Sequence, residues 1–243
     1  MANSAHPQQF PVTRYSVVIA MRSDNPEQRS RANETISAAY WKPIYKYVRL
    51  KWNLSGEDAQ DFTQEFFLRL IDKGFLDSFD PAKGRLRTFL RTCADRLFLN
   101  QTRDAQRHKR TAGNLLPVDF DEAEQEFAKG TGFSSPKEYF EKECVRQLFA
   151  LAVERLRTKC ESAAKAIHFK LFYDYDLDSD DEATPSYAEL AAKYELPTTD
   201  VTNYLAWARR EFRACVLQQL RETTATEEEF RREARSILGI ETK

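Results

Sequence analysis

Apolar residues recur along most of the chain at the three- and four-residue spacing of an amphipathic α-helix. Pro43 falls inside the second predicted helix and is expected to kink or restart it. Ser55 is the expected N-cap of the third helix, because its hydroxyl can accept from an unpaired backbone N–H. The pattern predicts an all-α fold with helices over residues 13–21, 27–52, 56–72, 85–110, 135–157, 162–173, 186–194, 198–219 and 227–238.

Three segments interrupt the helical pattern. Residues 77–84 read DSFDPAKG, and the Asp-Pro pair and the glycine predict a loop. Residues 111–135 contain Gly, Asn, Pro and acidic residues without a sustained period, which predicts a linker. Residues 174–185 predict an acidic loop. The predicted organisation is a helical domain over 1–110, an acidic linker over 111–135, a second helical domain over 136–221 and a C-terminal extension helix over 222–243.

The composition excludes several classes of protein. Charged residues make up 31% of the 243 residues and only 7 are glycine, which suits helices better than sheets. The longest uninterrupted apolar run, residues 148–153, is far shorter than the ~20 residues of a membrane-spanning helix. No basic-then-apolar leader opens the chain, so secretion by a signal peptide is not expected. We therefore expect neither a membrane protein nor a fibre.

The cysteines and histidines do not form a recognisable metal motif. The four cysteines are widely spaced without a CxxC pair, and no histidine lies at zinc-ligand spacing from them. We therefore expect no metal, no cofactor and no disulfide scaffold. Four free thiols fit a reducing cytoplasm.

The overall net charge of −1 conceals segregated charge. Residues 85–110 contain eight Lys or Arg and two acids, whereas residues 119–143 contain eight acids and three Lys. Residues 174–182 contain six acids and no base. A basic segment beside acidic ones indicates a polyanionic partner for the basic face, with an ordinary solvated charged helix as the alternative.

The basic helix over residues 85–110 has a distinct face. At 100° per residue, four further arginines fall within about 40° of Arg85. They are Arg96, Arg103, Arg107 and Arg110. The apolar stripe on another side consists of Leu86, Leu90, Ala94, Leu97 and Phe98. Guanidinium groups bind phosphates bidentately, so this face favours contact with nucleic acid. The alternative is a solvated face relieved by the acidic linker.

The pattern predicts two helices joined by a tight turn, over residues 186–194 and 198–219. The apolar stripe of the second helix consists of Val201, Leu205, Ala208, Phe212 and Val216. The opposite face carries Thr199, Asp200, Asn203, Tyr204, Trp207 and Arg210. A polar face of this kind near a helix N-terminus is typical of a recognition helix in the major groove. A generic pair of antiparallel helices would share the apolar pattern.

These features together resemble one protein family. The motifs are 40–47 (YWKPIYKY), 58–70 (DAQDFTQEFFLRL), 79–90 (FDPAKGRLRTFL) and 186–213. In this order and spacing the chain resembles a bacterial RNA polymerase sigma factor of the extracytoplasmic-function group, over roughly residues 14–110 and 140–220. The resemblance implies a sigma domain two-like helical bundle and a C-terminal helix-turn-helix domain four, joined by the acidic linker.

The resemblance implies a transcription initiation factor rather than an enzyme. Its partners would be promoter DNA and core RNA polymerase, bound at the clamp of the largest subunit and the flap of the second, and its location the cytoplasm at the nucleoid. The residues implied to bind core polymerase are Asp58, Asp61, Gln64 and Glu65. Such an acidic ridge would dock on basic residues of the clamp.

The resemblance also assigns two DNA-binding sets. The minus-ten element would be bound by Arg85, Arg87, Phe89, Arg96, Asn100, Arg103 and Arg107. The minus-thirty-five element would be bound by Thr199, Asp200, Thr202, Asn203, Tyr204, Trp207 and Arg210. The loop over 78–84 would hold a flipped base. Phe89 has two interpretations, a wedge that stacks on a base or a core residue.

The polymerase-binding helix departs from the family pattern at two positions. Gln60 stands where an acid is usual, and Thr63 where an aliphatic residue is usual. Phosphorylation of Thr63 would add a charge of about −1.5 to −2 and restore an acidic surface. The alternative is a helical threonine that bonds the carbonyl four residues back. A Ser/Thr kinase or an anti-sigma factor would be the regulatory partner.

Two other functional classes are compatible with the sequence. A stand-alone helix-turn-helix regulator would not need the acidic helix over 56–72. An Arg-rich nuclease would need a convergent metal cluster, which the sequence lacks. The acidic linker has two interpretations, a mimic of nucleic-acid charge in the RNA path or a disordered spacer. Packing against the helix-turn-helix is expected for the last helix through Phe230, Ala234, Ile237 and Leu238.

Overall fold

The computed structural model describes residues 17–72, 75–104, 118–129, 135–178 and 184–239. Within these ranges the chain is helical and contains no strand, which confirms the predicted fold class. The α-helices are α1 (Val17–Met21), α2 (Pro26–Trp52), α3 (Gly56–Asp72), α4 (Leu86–Asp104), α5 (Phe120–Lys129), α6 (Pro136–Ser162), α7 (Ala166–Phe172), α8 (Tyr187–Lys193), α9 (Thr198–Glu222) and α10 (Glu227–Leu238). A 3-10 turn (Phe75–Ser78) and a π-turn (Tyr173–Leu177) complete the elements.

Helix α2 is continuous through Pro43, so the predicted restart at this proline is wrong. A proline lacks the N–H that would bond the carbonyl four residues earlier, here that of Ala39. Helix α6 contributes a donor beside this point, because Gln147 Nε2 donates to the Ala38 carbonyl at 2.8 Å. Packing against α6 therefore stabilises α2 at the point where its own backbone hydrogen bonds are interrupted.

The first hydrophobic cluster contains residues of the four helices α1, α2, α3 and α4, together with one face of α5 and the first half of α6. The apolar stripe predicted on α4 is buried there at Leu86, Leu90, Ala94 and Leu97, as expected. Phe98 is half-buried and stacks on Trp52 of α2 with ring centroids 3.8 Å apart. This stacking fixes the middle of α4 against the end of α2, so the opposite side of α4 faces outwards.

The second cluster joins the later part of α6 to α7, α8, α9 and α10. The stripe predicted on α9 is buried at Val201, Leu205, Ala208 and Val216, and Phe212 is half-buried against the cluster. Helix α10 packs here through Phe230 and Ala234, with Ile237 and Leu238 partly buried, which confirms the predicted packing of the last helix. Arg155 and Glu222 join α6 to the end of α9 by a bidentate pair at 2.7 and 2.9 Å.

Helix α6 belongs to both clusters. Phe140 and Cys144 near its start are buried in the first cluster, and Leu148, Ala152, Leu156 and Cys160 are buried in the second. At 1.5 Å per residue its 27 residues span about 40 Å. A single helix therefore connects the two clusters without a flexible joint between them. The predicted domain boundaries stay a prediction.

The acidic segment predicted as an irregular linker contains helix α5, so that part of the prediction is wrong. Phe120, Ala123 and Phe127 form a three-residue apolar stripe, too short to stand out among the acids, and it packs on α2. The acids on either side of this stripe meet a row of bases on α2. Lys42 pairs with Glu126 at 2.9 Å, and Arg49 Nε bonds Glu124 at 3.0 Å.

Two residues of this basic face, Tyr45 and Lys46, are buried together with their polar groups. Tyr45 donates to Glu124 at 2.6 Å, and the hydrogen bond from Arg49 lowers the pKa of that carboxyl. Lys46, only 2% exposed, pairs with Glu126 at 2.5 Å and with the buried Glu143 of α6 at 2.7 Å. Acidic side chains of α5 and α6 thus neutralise a basic face of α2 inside the molecule.

Candidate nucleic-acid interface

The outward face of α3 carries the acids predicted to bind core polymerase. Ser55 caps the helix as predicted, because its Oγ accepts from the Asp58 N–H at 3.0 Å and donates to Asp58 Oδ2 at 2.7 Å. Asp58 and Asp61 are exposed, and Glu65 is half-buried in an ion pair with Arg69 at 2.5 Å. The structure therefore brings these three acids together on one outer surface.

Gln64 does not share that exposed surface, and its role in polymerase binding stays a prediction. The side chain is 2% exposed. At 100° per residue Gln64 lies about 60° from Asp61, on the side that leads towards Phe67. The buried arc of α3 is wide enough to include this position.

Thr63 lies on the buried side of α3. Its side chain is fully buried, and its Oγ1 donates to the Ala59 carbonyl at 2.7 Å. This is the backbone contact weighed as the alternative to a regulatory role. A kinase reaches this hydroxyl only if α3 opens locally. Phosphorylation of Thr63 stays a prediction.

The polar residues predicted to bind the minus-ten element divide into three groups. Arg96 and Asn100 are exposed on the outer side of α4. Arg85 and Arg87 at its start are ion-paired within the chain, so neither presents a free guanidinium in this conformation. The side chain of Arg103, and Arg107 as a whole, lie outside the described residues.

The partners of Arg85 and Arg87 come from two other helices. Arg85 Nε lies 2.9 Å from Glu233 Oε1, and Arg87 Nη1 lies 2.9 Å from Glu233 Oε2. Arg87 Nε also lies 2.6 Å from Glu141 of α6. A second acid of α10, Glu229, accepts from the Leu86 N–H at 3.1 Å. The start of α4 is therefore surrounded by carboxylates.

The roles of Glu229 and Glu233 were not predicted from the sequence. One signal was present, because both acids lie beside the apolar stripe of α10 rather than opposite it. Glu229 directly precedes Phe230, and Glu233 directly precedes Ala234. Acids at the margin of a buried stripe are expected to need partners. The pattern does not show which helix provides them.

Phe89 is half-buried against the first cluster, with its ring centroid 5.2 Å from that of Phe79. This position matches the core interpretation of Phe89. A residue far away in the sequence holds the start of the loop before α4. Arg22 donates to the carbonyls of Leu76 and Phe79 at 2.5 and 2.8 Å. The role of this loop as a base pocket stays a prediction.

Helices α8 and α9 form the predicted pair of helices with a tight turn. Ser186 Oγ accepts from the Glu189 N–H at 3.2 Å, and the Glu189 carboxylate accepts from the Ser186 N–H at 2.6 Å. Glu195 makes the turn with φ of 53°, and the Leu196 N–H donates to the Ala191 carbonyl at 2.9 Å. Recognition of DNA by this pair stays a prediction.

The polar face of α9 is only partly free. Thr199, Thr202, Asn203 and Arg210 are exposed, and Asp200 is half-buried. Tyr204 stacks on His168 of α7 with ring centroids 4.1 Å apart, and Trp207 meets the same ring edge-on at 5.0 Å. These two aromatic residues therefore pack within the chain, although the helical period places them on the side of α9 opposite its apolar stripe.

His168 and Lys165 are additions to this surface. Lys165 Nζ lies 4.1 Å above the Trp207 ring, within the range of a cation–π contact. Burial, and then the charge of Lys165, lower the pKa of His168. The imidazole is therefore neutral at pH 7 and acts as a stacking partner rather than as a cation.

Part of the predicted acidic loop is ordered against α8 and α9, so its description as a loop is corrected there. Asp174 accepts from Lys193 and Tyr194 at 2.5 and 2.7 Å. Asp176 forms a bidentate pair with Arg209, both contacts being 2.9 Å. The π-turn thereby neutralises bases beside the proposed reading face.

Arg210 is the base on this face whose removal should weaken DNA binding without disturbing the core. Its side chain is exposed, and its nearest acid, Glu211, is 3.9 Å away. We expect Arg210→Ala to weaken binding to duplex DNA severalfold and to reduce the salt slope of log K by about 1. Fluorescence anisotropy at several salt concentrations measures both quantities. Arg157→Ala, which removes an exposed arginine of α6, is the matched control, and equal effects of the two changes would contradict the assignment.

Two further observations concern chemistry. Within the ranges described above, no group of three His, Cys, Asp or Glu side chains is placed to hold a metal ion. All four cysteines are buried and free, and burial raises the pKa of Cys93 to about 11. The absence of a metal and a cofactor stays a prediction. No helix in the described part of the chain is both long and apolar enough to cross a bilayer.

One part of the chain matches a known protein family. Residues 39–108 match the family described as sigma-70 region 2. The match covers less than a third of the chain and runs from the middle of α2 past the end of α4. It includes the acidic face of α3 and the basic helix α4. No curated protein and no solved structure matches the chain.

Proposed function

Because the sigma-70 region 2 of residues 39–108 supports an RNA polymerase sigma-70 family factor, we propose that this protein is an alternative sigma factor of the extracytoplasmic-function group. It binds core RNA polymerase and directs promoter recognition and melting. Sigma factors are themselves not enzymes. The family match is the main support for the proposal, and the surfaces of α3, α4 and α9 are the proposed contacts with polymerase and DNA.

The proposed polymerase contact is the acidic surface formed by Asp58, Asp61 and Glu65. It is exposed at its centre and fixed by a capped helix, so it is preorganised for a basic partner. The partner is the clamp of the largest polymerase subunit. The second helical unit contacts the flap of the second subunit.

The proposed DNA contact has a downstream and an upstream part. Downstream, Arg96 and Asn100 of α4 line an outward face that continues in sequence to Arg103 and Arg107. A melted strand needs such a basic track for its backbone. Upstream, the exposed N-terminal face of α9 reads the minus-thirty-five element in the major groove.

The finer assignments extend this proposal. The extracytoplasmic-function grouping is supported by the order of the two helical units and the acidic segment between them. A protein of this kind acts in the cytoplasm at the nucleoid. Its regulatory partner is a Ser/Thr kinase acting on α3 or an anti-sigma factor covering the polymerase-binding surface.

Run-off transcription with purified core polymerase on genomic promoter fragments tests the function. Discrete transcripts that require the protein would support the proposal, and their start sites would define the promoters. A protein that binds promoter DNA through α9 but leaves polymerase unbound would instead support a stand-alone helix-turn-helix regulator.

Phosphorylation of Thr63 has its own test. Because its hydroxyl is buried against the Ala59 carbonyl, we expect Thr63→Ser to retain the bond and the fold, and Thr63→Ala to abolish any kinase effect. Phosphopeptide mass spectrometry of cells under inducing conditions, with promoter activity of each variant, measures this. Equal promoter activity of both variants, without a phosphopeptide at residue 63, would contradict the switch.

A further inference from the structure

Helix α10 lies between the proposed promoter-melting helix and the second cluster. Its apolar side is buried in that cluster at Phe230 and Ala234. Its acids Glu229 and Glu233 are only 4% and 3% exposed and lie at the start of α4. Helix α10 therefore connects the two halves of the molecule through two buried carboxylates.

Glu229 provides the N-terminal acceptor that α4 lacks in its own sequence. The residues before Leu86 are Gly84 and Arg85, and neither side chain can accept a hydrogen bond. Glu229 Oε1 accepts from the Leu86 N–H at 3.1 Å, and Oε2 accepts from the Ala225 N–H at 2.9 Å. The unpaired N–H groups at a helix start form a natural site for an anion, including a phosphate.

Glu233 lies at the same helix start and contacts the side chains of Arg85 and Arg87 rather than the backbone. It lies 2.9 Å from both Arg85 and Arg87, yet neither of its oxygens makes a hydrogen bond of good geometry. Burial raises the pKa of this carboxyl despite the neighbouring arginines. The contact is therefore an electrostatic one of imperfect geometry, which a better-placed anion can replace.

The compact arrangement conflicts with simultaneous binding of both proposed promoter elements. The minus-ten and minus-thirty-five elements lie about 25 base pairs apart, which is about 85 Å along straight DNA at 3.4 Å per base pair. Both units pack on α6, which spans only about 40 Å. The chain can span a promoter only if one of the two clusters releases its part of α6 and the clusters move apart.

We propose that α10 is an autoinhibitory latch, in which Glu229 and Glu233 occupy the anion site at the start of α4 that the promoter backbone takes in the active complex. This inference rests on the proposed function and names the regulation of the same site. When α10 leaves, Arg85, Arg87 and the N-terminus of α4 become available to phosphate, and the link that α10 forms between the two units is lost.

The latch makes a quantitative prediction about DNA binding. The apparent Kd equals the intrinsic Kd divided by the fraction of molecules in the open state. Glu233→Lys places a third cation against Arg85 and Arg87, so it should favour the open state. Glu228→Lys is the matched control, because Glu228 is exposed on the same helix and its replacement adds the same charge. We expect Glu233→Lys to bind DNA about 10-fold more tightly than Glu228→Lys, within the usual range of coupling between sites.

The probe is a fluorescein-labelled 40-base-pair duplex of mixed sequence with a central unpaired bubble, added to the full chain alone and to its complex with core polymerase. Glu233→Gln, which preserves the side-chain shape, is the second variant in case Glu233→Lys fails to fold. We expect its affinity for the probe to lie between those of the wild type and Glu233→Lys.

Hydrogen exchange measured by mass spectrometry follows the latch directly. In the complex with polymerase and probe we expect the amides of α10 to exchange at least 10-fold faster than in the free chain, while α3 becomes protected. Protection of α3 with α10 still protected would overturn the latch and leave the proposed function standing. Equal probe affinities of Glu233→Lys and Glu228→Lys would also overturn it. Failure of polymerase to protect α3 would overturn the proposed function and the latch with it.

Discussion

Asp61→Arg should lower the affinity of the protein for core polymerase by about 30-fold or more and abolish protein-dependent run-off transcripts, since like charges facing across an interface cost several kcal/mol. Asp61 lies at the centre of the acidic surface of α3 and is exposed. The described part of the chain gives it no ion-pair partner, so its replacement should leave the fold intact. Surface plasmon resonance with immobilised core polymerase measures the affinity.

The control for this change is Glu161→Arg, an equal charge reversal at an exposed position of α6. It should leave polymerase affinity within about twofold, because a lone surface charge far from the contact contributes little. Adding Glu65→Arg to Asp61→Arg should deepen the loss, although it also breaks the ion pair with Arg69. Wild-type transcription by a correctly folded Asp61→Arg protein would show that α3 is not the polymerase contact.

Glu143→Ala should lower the free energy of unfolding by about 3 kcal/mol, because removing one partner of a buried ion pair leaves an uncompensated charge. Lys46 and Glu143 are each 2% exposed, and their Nζ and Oε2 atoms are 2.7 Å apart. Glu126 of α5 remains beside Lys46 at 2.5 Å and limits the loss. Urea denaturation followed by circular dichroism measures the change.

The double variant Lys46→Met with Glu143→Leu separates charge from packing. Well-packed apolar residues in place of a buried pair are often neutral or stabilising. We therefore expect most of the lost stability to return in the double variant. A loss below about 1 kcal/mol in Glu143→Ala would show that the pair contributes little to the joint between α2 and α6.

The helices themselves could be predicted where local signals are strong. The limits of α10 match the prediction, because Thr226 caps its start through a hydrogen bond from the Glu229 N–H at 3.1 Å and Gly239 ends it with φ of 63°. The stripes of α4 and α9 were likewise visible from their spacing alone. Helix α5 was missed, since three apolar residues among acids do not exceed the background of a charged linker.

The candidate surfaces could be predicted only in part. Asp58 and Asp61 are exposed as the helical period requires, whereas Gln64 is buried because the apolar arc of α3 is wider than its strongly apolar residues suggest. Tyr204 and Trp207 were expected to be free, but His168 of α7 covers them. In both cases the deciding contact comes from the way one helix face is packed, which periodicity does not specify.

The sequence by itself determined most of the helices, the buried stripes of α4 and α9 and the segments that carry net charge, because these properties depend on neighbours within a few turns. Only the tertiary structure decided which charges meet. Leu86 and Glu229 are 143 positions apart, and Lys46 and Glu143 are 97 apart. Attraction between charges depends on distance in space and on exclusion of water, and both are set by how the helices pack. The basic start of α4 could therefore be recognised in the sequence, but its present partner could not.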